Sequence, residues 1–262
     1  MQTLANPSFA YTSPGSLWQV LPVPQPNHHW LLEERSPEGQ VSFVRVDARG
    51  EVVWRVSPWP DRWWVHLAGV AGNFALVREY ADDQSPEHQH FHVLDLAQGE
   101  VLLGVDNFSF LGAQDTTVYG YLRSGEASQT AALNLPSGEI TVGIVVPETW
   151  PENNPVDRPF LYRDEDAGFG TVSAFVKQYQ DQTAVLGAEY LETNRGVGLS
   201  FYLAEGKQAF ANWLWWLSPQ GDLLHQECLG RGLSGIGQDT FWKYKDHLFY
   251  IKNKQELIGY AL

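Results

Sequence analysis

Cysteine is nearly absent from this chain of 262 residues: Cys228 is the only one, so no internal disulfide can form. Basic residues are scarce too, with 17 Lys and Arg against 31 Asp and Glu and a net charge of −14. A negative surface repels phosphate backbones and anionic lipid, which argues against nucleic acid and membrane surfaces as partners. The plainest role of that charge is to keep an acidic protein soluble and monomeric. No stretch approaches the roughly 20 apolar residues that span a bilayer. The opening Met1 to Pro7 holds neither a basic segment nor an apolar run, so no secretory leader is read there. Together with the lone cysteine this predicts a cytoplasmic setting. No run of helical length spaces apolar residues at i, i+3, i+4 and i+7, so no helix is predicted. There is no Gly-x-Ser-x-Gly elbow, no phosphate-binding loop and no cysteine pair for zinc, and no cofactor is expected.

What is present is a repeated device. An apolar strand ends in a turn closing on Gly, and an acid opens the next strand. It occurs at Val46 to Val53, Leu94 to Leu102, Leu133 to Ile140 and Leu217 to Leu224. The glycines are Gly50, Gly99, Gly138 and Gly221, separated by 49, 39 and 83 residues. A strand-rich repeat of roughly 40 to 50 residues has the length of a propeller blade. The long interval fits two blades, or one with insertions.

Between the turns, runs rich in aromatic and β-branched residues read as antiparallel strands joined by hairpins. In the second repeat these are Trp63 to Val70, Asn73 to Tyr80, His90 to Leu94 and Val101 to Leu103. In the fourth they include Val172 to Val176, Ala184 to Tyr190 and Trp213 to Leu217, with an extra hairpin read at Gly196 to Gly206. The last repeat ends at Leu257 to Tyr260, before any Gly-acid turn. Such a shortage is expected where one terminus completes the blade begun by the other. Gly15 to Val20 can supply that closing strand. Alternatively it opens the first repeat, and residues 6–13 close the ring.

Asp47-Ala48-Arg49-Gly50-Glu51-Val52-Val53-Trp54 and Leu94 to Leu102 resemble the turns of quinoprotein-type propeller repeats. The resemblance covers about a third of the chain and implies fold alone. It carries over no quinone site, since no residues match one. The chain is also similar in length to an uncharacterised bacterial propeller-like family. The predicted fold is all-β: one domain over residues 1–262, of about five antiparallel blades with six as the alternative, closed by the N-terminal strand.

Four groups of residues carry chemistry. His88, His90 and His92 share one face of a strand, where three imidazoles can hold a metal ion. The plainer reading is a solvated, partly packed face, since Leu94 and Leu96 continue it. Gly230-Arg231-Gly232-Leu233-Ser234-Gly235 matches a dinucleotide fingerprint in letters only, because loop and strand rather than helix follow it. Eleven Trp residues favour blade packing over sugar stacking. Trp63 and Trp64, adjacent on one strand, point to opposite faces and cannot serve one surface, while Trp59 and Trp150 lie in Pro-rich segments suited to exposed stacking. Asp157, Asp164 and Asp166 lie in a long irregular stretch where general acid–base chemistry on glycosidic bonds could be mounted.

The leading functional reading is a ligand-binding or protein-interaction scaffold. A carbohydrate-binding or glycoside-active module using Trp59, Trp150, Asp157, Asp164 and Asp166 is second. A metal site at His88, His90 and His92 is third. The expected partner is a protein or a small-molecule or carbohydrate ligand.

Overall fold

A computed structural model describes residues 6–25, 28–81, 89–150 and 156–262. It resolves into two compact units: Ser13–Asn154, and Pro155–Leu262 together with Met1–Thr12.

The first unit holds three antiparallel four-stranded sheets, each a sequential meander of the kind from which propeller blades are made. The first sheet is β2 (Ser16–Pro22), β3 (Trp30–Arg35), β4 (Val41–Val46) and β5 (Val52–Val56). The second is β6 (Val65–Ala71), β7 (Phe74–Tyr80), β8 (Gln89–Asp95) and β9 (Val101–Asp106). The third is β10 (Phe108–Gln114), β11 (Thr117–Ser124), β12 (Ala127–Asn134) and β13 (Ile140–Val142). Alternating apolar residues pack the sheets on one another. Leu31, Phe43 and Trp54 meet Val65, Val77 and Leu94, and farther along Leu76, Phe91 and Val93 meet Phe108, Val118 and Leu133.

The other unit holds a five-stranded sheet of β14 (Phe160–Arg163), β15 (Val185–Thr193), β16 (Gly196–Ala204), β17 (Phe210–Leu217) and β18 (Leu223–Leu233). The 83-residue interval is thus one sheet with insertions, not two. The segment read as an extra hairpin at 196–206 is β16, an integral strand. The last sheet runs β1–β21–β20–β19, built from β1 (Phe9–Thr12), β19 (Phe241–Tyr244), β20 (His247–Lys252) and β21 (Glu256–Ala261). Here the N-terminal strand pairs antiparallel with the last, Phe9 opposite Gly259. Of the two readings of the N-terminus, Gly15 to Val20 therefore opens the first sheet and residues 9–12 complete the last.

The four Gly-acid turns join β4–β5, β8–β9, β12–β13 and β17–β18, with their glycines at φ +90, +77, +71 and +90. In each, the side chain that opens the turn accepts a backbone N–H two or three residues on: Asp47 from Arg49, Asp95 from Ala97, Asn134 from Ser137 and Ser218 from Gln220. The last sheet has no such turn because the pair at one end of it, β21 and β1, is not consecutive in the chain.

The expectation of no helix is overturned. Helix α1 (Phe169–Gln180) lies between β14 and β15, over residues read as a strand at Val172 to Val176. Its buried face is Phe169, Ser173 and Val176, so a serine interrupts the apolar stripe. Ser173 is buried at no cost because its hydroxyl donates to the Ala184 carbonyl. Val, Thr and Phe within it are strand formers, and packing against Leu199, Phe201 and Trp215 overrides that preference. Among the described residues no helix is long and apolar enough to cross a membrane.

Candidate binding surface

Burying a charge is costly unless it is paired and hydrogen-bonded, so buried charges mark organised places. In the first unit Glu33 and Arg35, two apart on β3, share a face and are both almost fully buried. Arg35 donates from Nε at 3.1 Å and from Nη2 at 2.6 Å to Glu33 Oε1. It donates further to the carbonyls of Trp63 and Val65, ahead of and within β6. Glu33 Oε2 accepts the Leu67 N–H at 2.8 Å. His66 Nδ1 sits 3.0 Å from Arg35 Nη2 and 3.3 Å from Glu33 Oε1, able to accept from one or donate to the other. Burial alone would raise the Glu33 carboxyl. Bonds from His66, Arg35 and Leu67, with the guanidinium charge, outweigh it and hold the group below its ordinary value.

Two indoles roof this clamp. The Arg35 guanidinium lies 4.6 Å from the Trp18 ring centroid and 4.5 Å from that of Trp63. The rings meet edge to face at 5.6 Å. The cation beneath them is sealed, yet Trp18 is 53% and Trp63 37% exposed. Trp64 is exposed as well, and both adjacent tryptophans precede β6 rather than lying on it.

Beside Trp63 opens a cavity of about 660 Å³, lined also by Ser36, Glu38, Gln40 and Asp61. Two turns frame it. Gly39 closes the first, donating to the Ser36 carbonyl, and the second runs from Trp59 to Arg62. Gly39 has φ +90, and a Cβ there would stand 3.2 Å from the Trp63 ring, so glycine suits both the turn and the close approach.

The residues singled out in the sequence are placed as follows. Trp59 is half-buried, its ring tilted at 37° against His92 with centroids 4.3 Å apart, and it packs against the core of the first two sheets. Trp150 is half-buried too, its ring laid over Gly112 and 5.4 Å from Tyr119. Asp157 bridges to Lys243 through backbone and side chain, Nζ at 2.8 Å. Asp166 caps the turn after β14 by accepting the Arg163 N–H, and the Asp164 N–H donates to Leu186. The two tryptophans belong to one unit and the three aspartates to the other. His88 lies outside the described residues. His92 bonds Glu79 on β7 and His90 bonds Asp106 on β9, so these imidazoles turn to opposite neighbouring strands. Burial lowers the His92 pKa, which favours its neutral form. Among the described residues no group of three or more His, Cys, Asp and Glu can hold a metal ion. Gly230 to Leu233 form the end of β18, and no helix follows them.

Sequence reasoning passed over Trp18, Glu33 and Arg35. The signal available was Glu33-Glu34-Arg35 inside an apolar strand, charges where a core-facing strand should carry none.

In the other unit the buried carboxylate Glu189, on β15, anchors the segment before β19. It accepts the N–H groups of Asp239 and Thr240 and the Thr240 hydroxyl. The Thr240 hydroxyl oxygen also accepts from the Ser200 hydroxyl, to which Asn212 donates in turn. Burial pushes the Glu189 pKa up to about 7 against these bonds, with the Asp239 charge adding to the rise. A carboxyl raised in the folded state binds a proton that the unfolded chain releases. Its stabilisation is complete below about pH 4.5 and is lost as pH rises to about 7. Stability followed by urea titration is expected to fall across that window and flatten above it. Glu189→Gln should lack that component of the slope; an unchanged slope would assign it elsewhere.

No protein-family model matches the chain, and no curated protein matches it. Solved structures align over most of its length. BamB from Moraxella catarrhalis shares 11% identity over 98% of this chain and 92% of that one, at a TM-score of 0.29. A putative TolB from Agrobacterium tumefaciens shares 11% over 97% and 96%, at 0.32. An uncharacterized protein from Listeria monocytogenes EGD-e shares 9% over 94% and 78%, at 0.37.

Proposed function

We propose that this chain is a non-enzymatic protein-interaction scaffold, a five-bladed propeller that binds its partner at Trp18 and Trp63. Five successive antiparallel sheets support the blade number, and the pairing of β1 with β21 supports closure by the N-terminal strand.

The observation that carries the binding role is the exposure of two indoles over a buried guanidinium paired with Glu33. Trp and Arg dominate interface energetics because they offer large contact areas. An aromatic surface already held in place also loses little conformational freedom on binding. The Glu33–Arg35 clamp supplies that rigidity here.

Affinity capture from lysate of the native cells tests the role. Wild type and Trp18→Ala are compared after thermal melting shows equal folding, which Trp18's exposure allows. A partner retained by wild type should fall at least about tenfold in the variant, as for an interface hot spot. Equal recovery from both proteins overturns the assignment.

A further inference from the structure

We infer that the cleft beside Trp63 receives a basic side chain of the partner, a lysine or arginine lying against the indole with its charge between Glu38 and Asp61. This rests on the interaction-scaffold reading and specifies what the surface recognises.

Charge complementarity carries it. Glu33, Glu34 and Glu79 in the same unit each have an arginine, namely Arg35, Arg55 and Arg62. Glu38 and Asp61 line the cavity, and among the described residues neither has an ion-pair partner. They sit at two separate turns, so the chain brings two uncompensated carboxylates to a cavity that one exposed indole also lines. A bond from the Ser36 hydroxyl lowers the Glu38 pKa, which favours the ionised form. The positive charge behind the indole is already neutralised by Glu33 at 2.6 Å and does not oppose an incoming cation. An ammonium or guanidinium over an indole gains from the ring's negative face, and flanking carboxylates add to that attraction. The aliphatic stem of Lys or Arg matches the apolar edge of Trp63. An overall charge of −14 favours encounter with a basic partner. A neutral sugar would use the indole but leave both charges unanswered.

The test titrates a fluorescently labelled peptide carrying lysine and arginine, the same peptide with glutamine at those positions, and a neutral oligosaccharide. Each is measured against wild type, Glu38→Gln/Asp61→Asn and Trp63→Phe. The basic peptide should bind wild type, weaken with rising salt, and lose about tenfold in affinity in the carboxylate variant. Trp63→Phe should weaken it by a smaller factor. Both Glu38 and Asp61 are surface residues, so thermal melting should report intact folding. Equal binding of the basic and glutamine peptides overturns the inference, as does oligosaccharide binding that survives the carboxylate variant. If Trp18-dependent capture of a partner persists in either case, only the basic-side-chain inference falls. If that capture is absent too, the scaffold reading falls with it.

Discussion

Arg35→Ala should lower folding stability by about 3–5 kcal/mol, the usual cost of leaving one member of a buried ion pair alone. The loss arises because Glu33 is 1% exposed and would keep its charge with only the Leu67 N–H and His66 to answer it. Denaturant titration monitored by circular dichroism measures the change. The double variant Glu33→Leu/Arg35→Met separates burial from the pair itself. It removes both charges at similar volume, and it should recover most of the single variant's loss. A single-variant cost below about 1 kcal/mol would mean the pair behaves as a surface salt bridge, against its burial. The variant should also weaken partner binding, since Trp18 and Trp63 lose the group they pack on.

Phe9→Ala should cost about 3–5 kcal/mol, as do other buried Phe truncations. Phe9 is 2% exposed and meets the Phe249 ring edge to face at 5.7 Å. Strand β1 has only four residues, so this side chain contributes a large part of what holds it. Its loss should detach the strand and leave β21 as a bare edge. Amide hydrogen exchange reports this directly. Protection across Glu256–Ala261 should fall while β3 and β7, in other sheets, keep theirs. Unchanged protection and stability would show that the N-terminal strand is dispensable.

Much of the architecture was legible in the chain. The Gly-acid turns were readable because two local requirements coincide there: a positive φ that glycine meets, and a side-chain oxygen at the turn's start that binds a nearby N–H. Both act over a few residues, so the sequence alone expresses them. The aromatic and β-branched runs that form β4 and β8 are equally local. Helix α1 was not legible. Its stripe passes through Ser173, and its β-branched residues prefer strands; only the Ala184 carbonyl and the sheet beneath make the helix favourable there.

The binding surface shows the same division. Trp59 and Trp150 stood out by their proline-rich settings, yet His92 and Gly112 lie against their rings. Trp18 sits on an ordinary strand and nothing near it in sequence marks it. Its place depends on Arg35, 17 positions away, and on Trp63, 45 away, brought together by the meeting of the first two sheets. Taken by itself the sequence determined strands, turns, charge and the incomplete last repeat, because hydrophobic period and turn chemistry are local. The tertiary structure alone decided which tryptophans are packed, which carboxylates are paired and which face is left open. Those depend on contacts between residues far apart in the chain, and local preference does not encode them.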